Sequence, residues 1–336
     1  MPKKHDYGEM IKKIKSNKNC QYSLKCRKNT MEAALRLQDT ALRYFLEVAR
    51  YGSISEASLH LNVAASAISR QINNLEDILN TTLFERRPRG MELSAAGEML
   101  AVYARKNALE SDRIVSEIAA LEGLNRGHVK ISCSEGFAME FLPRSIASFR
   151  KQHDGIHFQI NVSSPGEVSR RVSHGDADIG VTLSLSPAKD IQVAYRQPSP
   201  ILAVVNPNHP LANKKSISLA QLQPYPIALP EESTTVRQLF DICCSRLNLL
   251  FDPVLVSNNM ATLNRFTTYD GGVHLAGEIS IRHQLSSSEL VAIPIRDRGM
   301  DIRNIEVQTL SGRTLPAAAR VFLDYMIEKM QNEKSI

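Results

Sequence analysis

The chain has 336 residues, 43% of them hydrophobic and 23% charged, with a formal net charge of +6. A single hydrophobic core stops growing well before that length, so two or three domains are expected. No apolar run approaches a membrane span or the core of a signal peptide, which sets aside membrane and exported proteins and makes the cytoplasm the expected compartment.

The charge is unevenly placed. Residues 1–30 carry nine Lys/Arg against Asp6 and Glu9, a local +7, so the rest of the chain sums to −1. With few large apolar side chains, this head is expected to be a disordered extension. It reads as a solubilising tail or an overlong start upstream of Met31 rather than as a DNA-binding arm. Five cysteines (Cys20, Cys26, Cys133, Cys243 and Cys244) form no CxxC spacing, and read as reduced thiols rather than disulfides or a zinc site.

From Leu37 to Val48, "LQDTALRYFLEV" sets Leu37, Ala41, Tyr44, Phe45 and Val48 at three- and four-residue spacings, the pattern of an amphipathic helix. "YGS" stops it, since Gly52 suits a left-handed cap and Ser53 can cap the next helix. In that second helix Ile54, Ala57 and Leu61 share a face. After Leu61 the phase shifts, and Ile68, Ile72, Leu75 and Leu79 form a new stripe. Two stripes that cannot be joined without a turn, with small Ala57 where helices must approach, describe a helix-turn-helix. The outward face of the third helix carries Ala65, Ser66, Ser69, Arg70 and Asn73, short polar groups beside one arginine that suit a major groove. An ordinary three-helix bundle with a solvated polar face carries the same pattern.

"TTLFERRPRGMELSAAGEML" then predicts a hairpin with Leu83 and Phe84 at its base, Gly90 in its turn, and Arg86, Arg87 and Arg89 at its tip, placed to meet phosphates. Residues 31–93 hold seven Arg and no Lys against eight acids, so their positive charge is focused and not abundant.

These residues, from Phe45 through Gly52-Ser53, Ala57, Leu61, Ser69-Arg70-Gln71-Ile72, Leu75-Glu76 and Leu83-Phe84-Glu85-Arg86 to Leu93 and Ala96-Gly97-Glu98, resemble the winged helix-turn-helix of LysR-type transcriptional regulators. One departure stands in the recognition helix. The family begins it with Ser-Gln-Pro or Ser-Gln-Ser, whereas this chain has Ala64-Ala65-Ser66. Ala64 is a poor N-cap, at a cost of about 1 kcal/mol against Ser. Ala65 lacks the amide that would read a base, though its methyl can touch a thymine methyl.

Ser94 to Leu121 predicts one long helix whose Met99, Val102, Ile114, Ile118 and Leu121 follow a seam-like spacing. In the family that this segment resembles, such a helix pairs two subunits. Gly123 and Gly127 break it.

Beyond residue 127 strand-like and helical runs alternate. "HVKISC", "IHFQINV", "ADIGVTL", "ILAVVN", "PIALP", "PVLVS" and "LVAIPI" read as strands, and 138–152, 166–174, 233–248, 260–269 and 315–333 as helices. The landmarks "VSHGDADIGV" and "YDGGVHLAGE" are similar to the LysR effector-binding domain. That likeness implies two lobes like those of periplasmic binding proteins, crossed near Ser199 and near Ile293. The expected organisation is therefore an α/β protein with an N-terminal extension (1–30), a winged helix-turn-helix (31–93), a linker and dimerisation helix (94–126) and a two-lobed effector domain (127–336). Lobe 1 would hold 127–199 and 294–336, and lobe 2 would hold 200–293.

Ligands of such sheets sit at strand ends. The candidates are Ser132, Ser134, Glu135, Gly136 and Phe137 after the first strand, Thr182, then Ser233, Thr234 and Thr235 at a helix start, Asn258 and Asn259, and His274. Taken singly, each is more readily a cap or turn former than a ligand contact, and Glu135 argues against an anionic ligand in its subsite. His274 reads as a core histidine and Cys133 as an unactivated thiol.

No GxGxxG, GxxxxGK, GxSxG or HExxH occurs, and Gly155 between His153 and His157 argues against a helical metal pair, so neither catalysis nor a cofactor or metal is expected. The expected function is sequence-specific regulation of transcription by a homodimer or homotetramer on double-stranded DNA. A small-molecule effector between the lobes would switch it, with RNA polymerase as a partner. The alternative, a solute-binding module, would need an export signal and no winged helix.

Overall fold

The computed structural model describes residues 37–88, 90–121, 127–186 and 188–332, with only the backbone of Arg86 and of residues 119–121. The expected extension, 1–30, and Arg89 lie outside the described residues. The chain divides between Glu122 and Gly123 into two compact units, each described by itself.

The first unit opens with α1 (Thr40–Tyr51), α2 (Ile54–Leu61) and α3 (Ala65–Leu79). Asp39, not Leu37, begins α1: its carboxylate accepts the backbone N–H groups of Ala41 and Leu42, and Leu37 lies exposed before the cap. Gly52 ends α1 at φ 63°, a conformation that favours glycine. Ser53 caps α2 through the N–H of Glu56, and the left-handed Asn62 closes it. The second stripe holds at Ile68, Ile72 and Leu75 but not at Leu79, which is exposed at the end of α3.

The wing follows as β1 (Phe84–Arg87) antiparallel to β2 (Gly90–Leu93), with Phe84 opposite Leu93 and Arg87 opposite Gly90. Gly90 thus begins the return strand and is not in the turn. Its neighbour Met91 donates its N–H to the Gly52 carbonyl at 2.8 Å, and a Cβ on Gly90 would come within 2.6 Å of that oxygen. The wing therefore packs directly on the corner between α1 and α2. A long helix, α4 (Ala95–Leu121), buries Ala101 and Ala104 against this core but leaves Met99 77% exposed, with Val102, Tyr103, Ile114 and Ile118 also open.

The second unit contains two five-stranded sheets. The first lobe is ordered β4-β3-β5-β12-β6, comprising β3 (Gly127–Cys133), β4 (Ile156–Val162), β5 (Ile179–Ser184), β6 (Ile191–Pro198) and β12 (Asn304–Leu310). Here β3 is parallel to β4 and β5, while β12 is antiparallel to β5 and β6. Its helices are α5 (Glu135–Met139), α6 (Phe141–Phe149), α7 (Pro165–Ser173) and α11 (Ala317–Asn332). The second lobe is ordered β11-β7-β10-β8-β9, with β7 (Leu202–Val205), β8 (Ile227–Pro230), β9 (Leu255–Ser257), β10 (Val273–Ala276) and β11 (Val291–Pro294). It carries α8 (Thr235–Leu247), α9 (Met260–Thr268) and α10 (Arg282–Ser286).

Three strands of this unit lie outside the seven expected runs: β6, β12, and β10, which carries the landmark stretch around His274. The first crossing between lobes falls at Ser199, but the second comes later than the expected Ile293. Ile295 still bridges Ile217, Met300 lies in the second lobe's core, and only then does the chain return. Ser199 and Arg303 stitch the crossings together: Ser199 N–H donates to the Arg303 carbonyl at 2.9 Å, and Arg303 Nε donates to the Ser199 carbonyl at 3.1 Å. Burial pushes the Arg303 guanidinium down to about 10.

Candidate functional site

The helix-turn-helix presents a sorted surface. Ile68 and Ile72 fix α3 to the core, and the opposite side leaves Ala65, Ser66, Arg70 and Asn73 exposed, with Ser69 half-buried between the faces. Among the described residues Arg70 forms no ion pair, so its charge is available to a groove. Ala64 makes no side-chain bond at the start of α3, as its chemistry requires. The Ser53 hydroxyl accepts the Glu56 N–H at 3.3 Å, so its first role is that of a cap. In the wing, Arg87 is held by Glu85 at 2.6 Å and Glu92 at 3.4 Å, so a phosphate there would compete with those carboxylates.

Glu76 is a positioning residue that the sequence pattern marked without explaining. Its Oε1 accepts the N–H groups of Leu83 at 2.7 Å and Phe84 at 3.4 Å, tying the recognition helix to the base of the wing.

In the second unit the parallel strands β3, β4 and β5 end at Cys133, Val162 and Ser184, and β8, β9 and β10 at Pro230, Ser257 and Ala276. A hydrogen bond joins the two sets of ends: the Met260 N–H, just past β9, donates to Glu135 Oε2, just past β3, at 2.9 Å. The carboxyl ends of both sheets therefore meet at the contact between lobes, the place where sheets of this kind take ligands.

Ser134 and Thr182 meet in that region, their hydroxyls 2.9 Å apart. Beside Thr182 in the sheet stands Glu306, only 1% exposed, gripped by Arg196 at 2.6 and 3.1 Å and by Gln308 at 2.8 Å. This buried acid was missed, because nothing local marks a carboxylate for burial. Also missed was the loop after β4, where Ser163 N–H donates to the Cys133 carbonyl at 2.9 Å and Ser164 precedes Pro165 at the start of α7. The Ser-Pro pair was the available signal for a helix start.

Other candidates are placed differently. Phe137 is fully buried in the first lobe's core, packed edge-on to Phe141, and together with Phe141, Ser199 and Arg282 it lines a pocket beside the crossings. Ser132 is also fully buried on β3, and its hydroxyl has no partner among the described residues. Gly136 is buried in the contact between lobes, where a Cβ would collide with Ser280 Oγ. The Thr234 hydroxyl accepts the Arg237 N–H at 3.2 Å and donates to the Glu231 carbonyl at 2.8 Å, the behaviour of a cap. Thr235 is buried, Ser233 and Asn258 are exposed, and Asn259 caps α9 through Thr262. His274 is fully buried with Nδ1 2.8 Å from Thr267 Oγ1, and burial pushes it down to about 3, so it stays neutral. Burial pushes the Cys133 thiol up to about 12, far from thiolate reactivity. Among the described residues no group of His, Cys, Asp or Glu could hold a metal, and no helix is long and apolar enough to cross a membrane.

Comparison with known proteins gives matches along both units. Residues 40–98 match the bacterial regulatory helix-turn-helix protein of the lysR family, and residues 122–331 match the LysR substrate binding domain. The transcriptional dual regulator GltC of Bacillus subtilis (strain 168) is 29% identical over 293 residues, covering 85% of this chain and 95% of that protein. Two solved structures share the fold. A full-length OxyR variant from Pseudomonas aeruginosa has a TM-score of 0.61 at 18% identity, covering 85% of this chain and 93% of its own. The CcmR regulatory domain of Synechocystis, in complex with 2-PG, has a TM-score of 0.54 at 19% identity, covering 62% of this chain and 100% of its own.

Proposed function

This chain belongs to the LysR family of transcriptional regulators, and from that premise we propose how its two units divide the work. The first unit binds double-stranded DNA by placing α3 in the major groove and the wing on the adjacent backbone. Ser66, Ser69, Arg70 and Asn73 reach base edges, while Arg86, Arg87 and Arg89 sit near phosphates. The second unit holds a small-molecule effector between its lobes, near Ser134, Thr182 and the loops at Ser163 and Ser233. The observation that carries this division is the surface of α3, apolar inward and polar around Arg70 outward, with a wing tied to the same helix by Glu76. A solute-binding module of the same fold would not carry the matched helix-turn-helix.

The active species is a homodimer that pairs into a homotetramer on an imperfect inverted repeat. The exposed Met99, Val102, Tyr103, Ile114 and Ile118 on α4 support a second copy as their partner, since so many open apolar side chains on one helix otherwise favour aggregation. Effector binding shifts the arrangement of DNA-binding pairs by its differential affinity for the two states, and this changes recruitment of RNA polymerase. The protein works in the cytoplasm and catalyses no reaction. Genome-wide mapping of bound DNA tests the proposal. Recovery of a few inverted repeats upstream of operons, lost in Arg70→Ala, is the expected result, and recovery of no enriched sites would refute it.

A further inference from the structure

The bond between Met260 and Glu135 is not needed to build either lobe. Each lobe has its own sheet and core, and α9 already has a local cap: Asn259 Oδ1 accepts the Thr262 N–H at 2.9 Å and its hydroxyl at 3.0 Å. Glu135 brings a second acceptor to the same helix start from the opposite lobe. Close packing between the lobes fixes its position. The adjacent Gly136 lies so close to Ser280 that a Cβ there would displace the serine hydroxyl, and Ile279 of the second lobe is buried in the core of the first.

A carboxylate at the start of a nine-residue helix is stabilised by free N–H groups and the helix dipole, and an anionic effector entering from the first lobe would seek the same groups. The other charges nearby do not welcome such an effector. The loop after β8 contributes Glu231 and Glu232, neither of them in an ion pair among the described residues. The loops after β3, β4, β8, β9 and β10 contain no Lys or Arg and the loop after β5 carries Lys189, while the bases that flank them are already engaged: Arg196 with Glu306, Arg282 with Glu278, and Arg303 with Ser199 beside Gly277.

We propose that Glu135 is a specificity-determining residue: its carboxylate occupies the start of α9, where an anion could otherwise sit, clasps the two lobes through Met260, and disfavours an anionic effector in that subsite. This rests on reading the cleft as the effector site. A carboxylate effector would have to displace the carboxylate that the chain already supplies at α9, whereas an amine or hydroxylated neutral molecule meets Glu135 as a hydrogen-bond donor.

The test uses full-length protein and sodium acetate as the probe, with sodium chloride at equal ionic strength as control. Amide hydrogen exchange is followed across residues 258–264 in wild type, Glu135→Ala and Glu135→Gln. The Ala variant is expected to exchange about tenfold faster there, as loss of one charge-assisted hydrogen bond implies. Acetate should restore its protection while leaving wild type unchanged. The Gln variant keeps an acceptor oxygen and should fall between; it carries the test if the Ala variant does not fold. Unchanged exchange in both variants would overturn the clasp, and failure of acetate to protect Glu135→Ala would overturn the anion position. In thermal melts, small organic acids are expected to stabilise Glu135→Ala and not wild type; equal stabilisation of wild type would overturn the restriction on charge. Operator gel shifts with wild type read the regulator assignment separately, so a protein that clasps its lobes yet binds no operator would fail there alone.

Discussion

Replacing Glu76 with alanine should detach the wing from the recognition helix without unfolding either. The carboxylate makes one short bond, 2.7 Å to Leu83 N–H, and one long bond, 3.4 Å to Phe84 N–H. Leu83 is fully buried and Phe84 nearly so, so water cannot replace the acceptor cheaply. A hydrogen bond to a charged group contributes about 1.5 to 3 kcal/mol and a long one far less, which puts Glu76→Ala at about 2 to 4 kcal/mol. Glu76→Gln keeps an oxygen in place and should cost about 1 kcal/mol. Full-length unfolding would mix the transitions of several domains, so the readout is amide exchange across residues 81–87. Exchange there should rise by roughly 30- to 1,000-fold in the Ala variant and roughly fivefold in the Gln variant, taking 1.36 kcal/mol per factor of ten. Affinity for operator and for random DNA should fall together, because a displaced wing loses backbone contacts that carry no sequence information. Exchange within twofold of wild type in Glu76→Ala would refute the reasoning, since the two N–H groups would then be satisfied without Glu76.

Ala64→Ser should stabilise the DNA-binding unit by about 1 kcal/mol, because α3 begins with no side-chain cap; unaltered protection of residues 65–68 would count against it. Arg70→Ala should weaken operator binding far more than random-DNA binding, whereas Arg86→Ala with Arg87→Ala should weaken both and flatten the salt dependence, as gel shifts across a salt series will read. His274 is held neutral by burial, with its folded value near 3 and its unfolded value near 6.5, so the unfolded chain binds the extra proton. Its contribution is complete above pH 6.5 and is lost as pH falls toward 3, with a slope approaching about 1.4 kcal/mol per pH unit; melts of His274→Gln should lack that part of the acid sensitivity. Thr234→Ala should destabilise the start of α8 by about 1 kcal/mol whether or not an effector is bound, and a loss of effector response at unchanged stability would make Thr234 a contact rather than a cap.

The DNA-binding unit was legible because its information is local. Helix phases, a left-handed glycine and a Ser cap lie within a few residues of what they control, and Gly52, Ser53, Ala57, Ile68 and Ile72 behave as their spacing demands. Failures there were at ends: Leu37 precedes a cap that Asp39 supplies, and Leu79 falls beyond the reach of the core. The second unit was legible as alternating α and β but not strand by strand. β12 was missed because Glu306, Gln308 and Thr309 look like a solvated stretch, yet all three are buried. Their burial becomes tolerable through Arg196 for Glu306, Ser169 for Gln308 and the Gln192 carbonyl for Thr309, partners 110, 139 and 117 residues earlier that no local window contains.

The same separation explains why the candidate cleft was only half readable. A hydroxyl at a strand end or helix start fits either a cap or a ligand contact, and only its partner decides between them. Thr234 found its partner three residues away and became a cap, whereas Ser134 found Thr182 across 48 residues and stays at the mouth of a sheet. Glu135 reaches farther still, 125 residues to Met260, and that reach is what gives it consequence. A contact between elements close in sequence is made once, on folding, and is present in every functional state. A contact between two lobes joined only by two crossings can be broken while both lobes stay folded, so its free energy adds directly to the equilibrium that an effector must shift. The residues most informative about regulation in this chain are for that reason the ones whose partners its sequence conceals.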